Sequence, residues 1–303
     1  MCLTRPFFIP SMILIVIAIG FTSYLFGGYS FHRELWPFPL LQEIKAELRP
    51  YHPANGEVTD SYHRLVAYRG KQEIQCPPQT DKTLVLLIIG QSNAANSGGQ
   101  RQPARDHVVN YFDGKCYVAS SPLLGTDSIA GEPWSLLGSE LIAAEVADQV
   151  ILIPSAMSGT SIVQWQENAK LNIMLRSVLV GVAPHYRITQ VLWQQGENDV
   201  GVLTKEQYEQ KFMSLVHSIR QMRVDAPIYV AISTKCELTD LPWTNGNPIA
   251  EAQRALPSPA ARIFQGVDSD SLVGQFDRVD DCHFGASGEE KVAAAWTRIL
   301  THQ

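Results

Sequence analysis

Leu84-Val85-Leu86-Leu87-Ile88-Ile89-Gly90-Gln91-Ser92-Asn93-Ala94 is the stretch that decides how the rest of the chain is read. The apolar run from Leu84 to Ile89 has no alternation with polar residues, the pattern of a strand buried on both faces, and Gly90 ends it abruptly. Gln91-Ser92-Asn93 then brings a hydroxyl onto a loop at the end of that strand. Taken alone, the segment reads first as a core strand closed by a Ser/Asn turn. Ser92 becomes a candidate nucleophile only through the residues that lie at the ends of the other strands.

Downstream, apolar strand patterns alternate with helical ones. Residues 150–154, 188–193 and 228–232, with a short piece at 263–264, read as strands. Residues 139–147, 171–182, 248–262 and 286–300 read as helices. Another helix opens with the capping box Thr204-x-x-Gln207 and carries the apolar stripe Tyr208, Phe212, Leu215, Val216, Ile219 and Met222. This alternation predicts an α/β domain over residues 81–303, with a parallel central sheet covered by helices on both faces.

The chain has 303 residues, ordinary hydrophobic content at 45%, and a net charge of −6 without a long basic run. That argues against nucleic acid as the main partner, because phosphate binding needs concentrated positive charge. From Pro6 to Phe31 no side chain is charged, and Met12 to Ile19 is wholly apolar. A span needs ~20 such residues, so residues 1–31 are expected to be a membrane anchor, with a cleaved signal peptide as the alternative. Arg33, Lys45 and Arg49 after the segment, against Arg5 before it, do not favour export on the positive-inside count. Residues 32–80 read as a connector, with an amphipathic helix near residues 40–48 and surface histidines His32, His52 and His63.

Cys76, Cys116, Cys236 and Cys282 come after the anchor in even number, without the CxxC spacing of a zinc site. In an oxidising compartment the expected pairs are Cys76 with Cys116 and Cys236 with Cys282; four buried thiols are the alternative. The domain is therefore expected to be periplasmic or extracellular, or secreted if the leader is cleaved.

In open parallel sheets functional groups collect beyond the carboxyl ends of the strands. Ser92 follows the first strand, Ser155-Ala156-Met157-Ser158-Gly159 the second, and Gln194-Gln195-Gly196-Glu197-Asn198-Asp199 the third. Asp280-Asp281-Cys282-His283 comes near the end. Such a set suffices for acyl transfer. A serine needs an imidazole to take its proton, the imidazole needs a carboxylate to orient it, and the oxyanion needs fixed donors. His283 can be the base and Asp280 its partner. The backbone N–H groups of Ser92 and Gly159 and the amide of Asn198 are the candidate donors.

Gly90-Gln91-Ser92-Asn93-Ala94, Gly159, Gly196-Glu197-Asn198-Asp199 and Asp280-x-x-His283, in this order, resemble the four blocks of the SGNH (GDSL-like) hydrolase superfamily. The opening block is most similar to the branch of sialate O-acetylesterases and acetylxylan esterases of carbohydrate esterase family six. The resemblance spans about residues 82–301. It implies a flavodoxin-like three-layer α/β/α fold and a hydrolase without metal or cofactor. In that enzyme Ser92 attacks an ester, His283 is the acid/base, Asp280 orients it, and Gly159 and Asn198 serve the oxyanion hole.

Two departures matter. Relatives commonly have Ser where Asn198 stands, so Gln195 is a substitute donor, and Asp281 is an alternative to Asp280. Gln91, Gln195 and Glu197 are candidate pocket residues; for Glu197 and Asp199, capping the turn is the equal alternative. Trp134, Trp165 and Trp243 are either sugar-stacking or core residues. Asp268, Asp270, Asp277, Asp280 and Asp281 read as a solvated acidic loop, lacking the spacing of a calcium loop. The expected activity is release of O-acetyl groups from a carbohydrate. An O-acetyltransferase with the same triad and a non-catalytic glycan-binding protein are the alternatives.

Overall fold

The computed structural model describes residues 20, 22–26, 56–236 and 246–301. In chain order the strands are β1 (Val58–Thr59), β2 (Leu65–Ala67), β3 (Glu73–Ile74), β4 (Thr83–Gly90), β5 (Val108–Phe112), β6 (Lys115–Val118), β7 (Gln149–Pro154), β8 (Gln190–Gln194), β9 (Ile228–Ile232) and β10 (Ile263–Asp268). The helices of the domain are α1 (Trp134–Ala143), α2 (Lys170–Val182), α3 (Lys205–Gln221), α4 (Pro248–Ala255) and α5 (Ala286–Thr301). Strands β10-β9-β8-β4-β7-β5-β6-β3 pair in that order into one eight-stranded sheet. Every pairing from β10 through β5 is parallel. Those of β6 with β5 and β3 are antiparallel. A mostly parallel α/β sheet flanked by helices is thus what the alternating pattern builds.

β4 sits inside the sheet, and its unbroken apolar run reflects that position. Val85, Leu87 and Ile89 enter one core with Met174 and Leu175 of α2, Phe212 of α3 and Ile249 of α4. Leu86 and Ile88 point to the other face and enter a second core with Trp134 and Leu137 of α1 and Trp296 of α5. Full burial of each such side chain is worth about 1.5–3 kcal/mol, so the strand is fixed from both sides. At its end Gly90 has φ +141°, and a Cβ there would meet the Gln194 carbonyl oxygen at 2.0 Å. Only glycine lets the loops after β4 and β8 approach this closely.

Several boundaries differ from the sequence reading. α1 begins at Trp134 rather than residue 139, so Trp134 is a core residue of a helix and not a loop residue. α4 stops at Ala255, because Pro257 and Pro259 cannot continue it, and a short 3-10 turn comes next at Pro259–Ala261. β10 extends to Asp268. β5 and β6 were not anticipated: Asn110 interrupts the apolar pattern of β5. It is fully buried, where its Oδ1 accepts Leu124 N at 2.7 Å and its Nδ2 donates to Leu124 O at 3.1 Å.

Residues Ala54–Gln303 form one compact unit. Part of the expected connector is structured within it: β1 and β2 make an antiparallel hairpin, and β3 extends the main sheet. Both expected disulfides are present, Cys76–Cys116 and Cys236–Cys282. The anchor expected over residues 1–31 lies almost wholly outside the described residues, as do the helix near residues 40–48, His32, His52 and Trp243. No helix among the described residues is long and apolar enough to cross a membrane.

Candidate active site

Because β4, β7, β8 and β9 run parallel, the segments at their carboxyl ends meet at one edge of the sheet. Ser92 opens a 3-10 turn, Ser92–Ala94, directly after β4. Gln91 bolts this turn to the loop after β8. Its N–H donates to Gln194 O at 3.0 Å, and its Oε1 accepts from Gln195 Nε2 at 3.2 Å and from the N–H groups of Gly196 and Asn198 at 3.3 Å. Gln195 Nε2 also donates to Thr160 O at 3.0 Å and Asp199 Oδ2 at 2.6 Å. Asp199 in turn accepts Ile162 N at 2.9 Å and the Ser161 hydroxyl, joining the loops after β7 and β8.

Asn93 ties the nucleophile turn to the histidine loop. Its Nδ2 donates to Cys282 O at 3.1 Å, and its Oδ1 accepts Phe284 N at 3.2 Å, so it grips the backbone on both sides of His283. The same Nδ2 donates to Glu197 Oε1 at 2.8 Å, which also accepts the Ser233 hydroxyl at 2.9 Å. Burial raises the Glu197 carboxyl above the usual range, with the Asn93 and Ser233 bonds opposing it. Gln91, Gln195 and Glu197, the candidate pocket residues, thus also brace the loops around Ser92. All three are buried; Gln91 Oε1, the Gln195 amide and Glu197 Oε1 tie the loops together, while Glu197 Oε2 has no partner among the described residues. Gln195, with its amide already donating to three acceptors, is not a free oxyanion donor. Sequence reading missed Asn93 as the bridge, although it stands next to Ser92 in the chain.

His283 Nδ1 lies 2.7 Å from Asp280 Oδ2, and the other carboxylate oxygen accepts His283 N at 2.7 Å and Cys282 N at 3.1 Å. The carboxylate so held closes a tight turn under the imidazole. Partial burial would raise the Asp280 carboxyl, but the bonds from His283 and Cys282 outweigh it and hold the group below its usual value. Asp281 carries no such bond; its φ of +57° turns it away as the left-handed residue of the turn. The alternative of Asp281 as orienting carboxylate is therefore not adopted by this fold.

Arg278 braces the same loop, donating to Ser269 O at 2.6 Å and to Cys282 O. Nor is the acidic segment simply solvated: buried Asp277 accepts Lys291 Nζ at 2.6 Å, and Asp270 accepts Thr234 N at 2.7 Å. Trp165, like Trp134, is fully buried and belongs to the core.

Gly159 and Asn198 are exposed at this edge. Among the described residues, the N–H groups of Ser92 and Gly159, the Asn198 side chain and the Ser92 hydroxyl have no hydrogen-bond partner. Donors without a protein partner at the strand edge that carries Ser92 are open to a developing oxyanion. Gly159 has φ +67°, and a Cβ there would meet nothing within 4 Å. The loop just before it is fixed by Asp127, whose oxygens accept Ser158 N at 3.0 and 3.1 Å.

The segment from Gly98 to Gln102 packs on α5 through Glu289. Glu289 Oε1 accepts Gln100 N at 2.9 Å and Oε2 accepts Gln102 Nε2 at 2.7 Å. Burial pushes this carboxyl up to about 7, opposed by those two bonds and reinforced by Glu132. A raised carboxylate pKa means that the folded state holds the proton more tightly than the unfolded chain. The stabilisation is therefore complete below the unfolded value of ~4.3 and is lost as pH rises through about 7. Thermal melts should show a lower Tm at pH 8 than at pH 5, and Glu289→Gln should shrink that difference. An unchanged difference in Glu289→Gln would exclude this carboxyl as its source.

A serine at the end of an inner parallel strand and an Asp–His pair on a late loop, on this sheet, are the arrangement of an SGNH-type hydrolase. The chain belongs to the carbohydrate esterase, sialic acid-specific acetylesterase family, whose model matches residues 82–301. It is therefore a carboxylic ester hydrolase. A protein of Arabidopsis thaliana has a similar structure, with TM-score 0.59 and 18% identity over 74% of this chain and 98% of that one. NanS is similar with TM-score 0.52 and 14% identity over 73% and 97% of the two chains. At these identities the likenesses speak for the fold. A comparison with curated proteins gives no match.

Proposed function

We propose that the protein is a serine esterase that removes O-acetyl groups from a carbohydrate through an acyl-enzyme on Ser92. The observation that carries this reading is the 2.7 Å bond from His283 to Asp280 on a loop that Asn93, the neighbour of Ser92, grips on both sides of the histidine. His283 takes the Ser92 proton as the hydroxyl oxygen attacks the acetyl carbon, and Asp280 stabilises the imidazolium. The tetrahedral oxyanion is received by the N–H groups of Ser92 and Gly159 and by the Asn198 amide. Collapse expels the sugar oxygen, which takes the proton from His283. Water, deprotonated by the same imidazole, then attacks the acetyl-serine, releasing acetate and restoring Ser92.

The two disulfides support an oxidising location for the domain, and residues 1–31 are read as its membrane anchor. Incubation with a fluorophosphonate should modify Ser92 stoichiometrically and stop acetate release from acetylated sugars in parallel. Labelling at another residue, or acetate release that survives complete labelling, would overturn the assignment.

A further inference from the structure

Among residues 279–283, the turn that carries Asp280 and His283, only Cys282 is buried. Among the described residues, the hydrogen bonds that tie this turn to other segments all end on the Cys282 carbonyl, from Asn93 Nδ2 at 3.1 Å and from Arg278. The rest are internal: Val279 N donates to His283 O, and the amides of Cys282 and His283 donate to Asp280 Oδ1. Cys282 is thus where a surface turn is fastened to the domain.

The bond to Cys236 fastens the same residue a second time, through its side chain. Its other end is held firmly. In the segment that leaves β9, Ser233 N donates to Gln253 Oε1 at 3.0 Å, and the amides of Thr234 and Lys235 donate to Asp270 Oδ1 at 2.7 and 2.9 Å. Cys236 comes next. The Ser233 hydroxyl donates to Glu197 Oε1, which also accepts Asn93 Nδ2, the donor to Cys282 O. Ser233, Glu197, Asn93, Cys282 and Cys236 therefore form a closed ring, in which Asn93 is the chain neighbour of Ser92 and Cys282 that of His283. The disulfide is the covalent cross-link of that ring; without it Cys282 is held by hydrogen bonds alone. Displacing a catalytic group by 1 Å can lower turnover ~10²-fold, so the cross-link bears directly on the rate.

We propose that the Cys236–Cys282 bond is a positioning element that keeps His283 and Asp280 in place against Ser92, so that full turnover requires oxidising surroundings. The proposal rests on the reading of these three residues as a catalytic set. Closing the bond takes two thiols and a disulfide-bearing oxidant, which leaves as a dithiol with the two electrons and two protons. Opening is the reverse. A dithiol attacks one sulfur through its thiolate, its second thiol resolves the mixed disulfide, and Cys236 and Cys282 are left as thiols. Cys236 is only half-buried and offers the sulfur to attack.

Cys76–Cys116, which fastens β6 three strands away from β4, supplies the control. In the full-length folded protein, dithiothreitol should open Cys236–Cys282, as read by alkylation and mass spectrometry. That should lower kcat on p-nitrophenyl acetate roughly 10–100-fold with KM within about twofold, near-UV circular dichroism retained and activity regained on reoxidation. Cys76→Ser/Cys116→Ser should lose activity in the reagent to the same extent. Cys236→Ser/Cys282→Ser should show the lowered kcat without reagent and no further response to it. A bond that acts through the Asp280–His283 pair should matter little once that pair is broken, so its removal should cost Asp280→Asn less than about threefold. Full kcat after complete opening, loss of the folded spectrum together with activity, or losses that multiply in Asp280→Asn would each overturn the positioning role. An oxidised native protein that hydrolyses no ester would overturn the esterase reading instead.

Discussion

Ser92→Ala should lower acetate release by roughly 10⁶-fold, to the residual rate that oxyanion donors and binding alone support. Loss of the nucleophile removes the acyl-enzyme altogether, so neither His283 nor the free amides can compensate. The fold should survive, because the Ser92 hydroxyl has no hydrogen bond among the described residues and the turn is held by Gln91 and Asn93. An unchanged Tm with abolished turnover is therefore the expected pair of measurements. Turnover within about tenfold of the native rate would exclude Ser92 as the acyl acceptor.

Asp280→Asn should cost roughly 10³–10⁴-fold in kcat. The amide keeps the shape but no longer offsets the positive charge that develops on His283, and it can present Nδ2 to His283 Nδ1, favouring the wrong tautomer. The Asp280 side chain is 53% exposed, so water screens part of its effect, and the loss should lie below that for Ser92→Ala. Asp281→Asn, one residue along, should leave kcat close to native, since Asp281 makes no bond to the imidazole. Equal losses in the two variants would mean that the loop rearranges during turnover.

The inner strands were legible because burial on both faces leaves Thr83 alone polar in β4 and few polar residues in β7 or β9. Edge strands were not. β3 contributes two residues and β6 four, too few for a period to declare itself. In β5 a buried asparagine satisfied by Leu124 imitates a loop residue. At the site, Ser92, His283 and Asp280 could be read because their chemistry depends on residue type and on position after a strand.

The roles of Gln91, Gln195 and Glu197 could not. An amide that faces a pocket and one that bolts two loops together have the same sequence signature, and only the partner's position separates them. The same limit applies to Trp134, which donates its indole N–H to Ala94 O at 2.8 Å inside the core.

β3 has a consequence for anyone shortening the chain. Glu73 and Ile74 cover β6 by pairing with Tyr117 and Cys116, and Cys76 fastens the cover to Cys116 covalently. A fragment trimmed to the family boundary at residue 82 would leave the Lys-Cys-Tyr-Val strand bare. Its unpaired N–H and C=O groups would template pairing with another chain, and its orphaned thiol would invite cross-linking. The short segment ahead of the shared domain thus acts as a guard against self-association, a duty separate from anything done at Ser92.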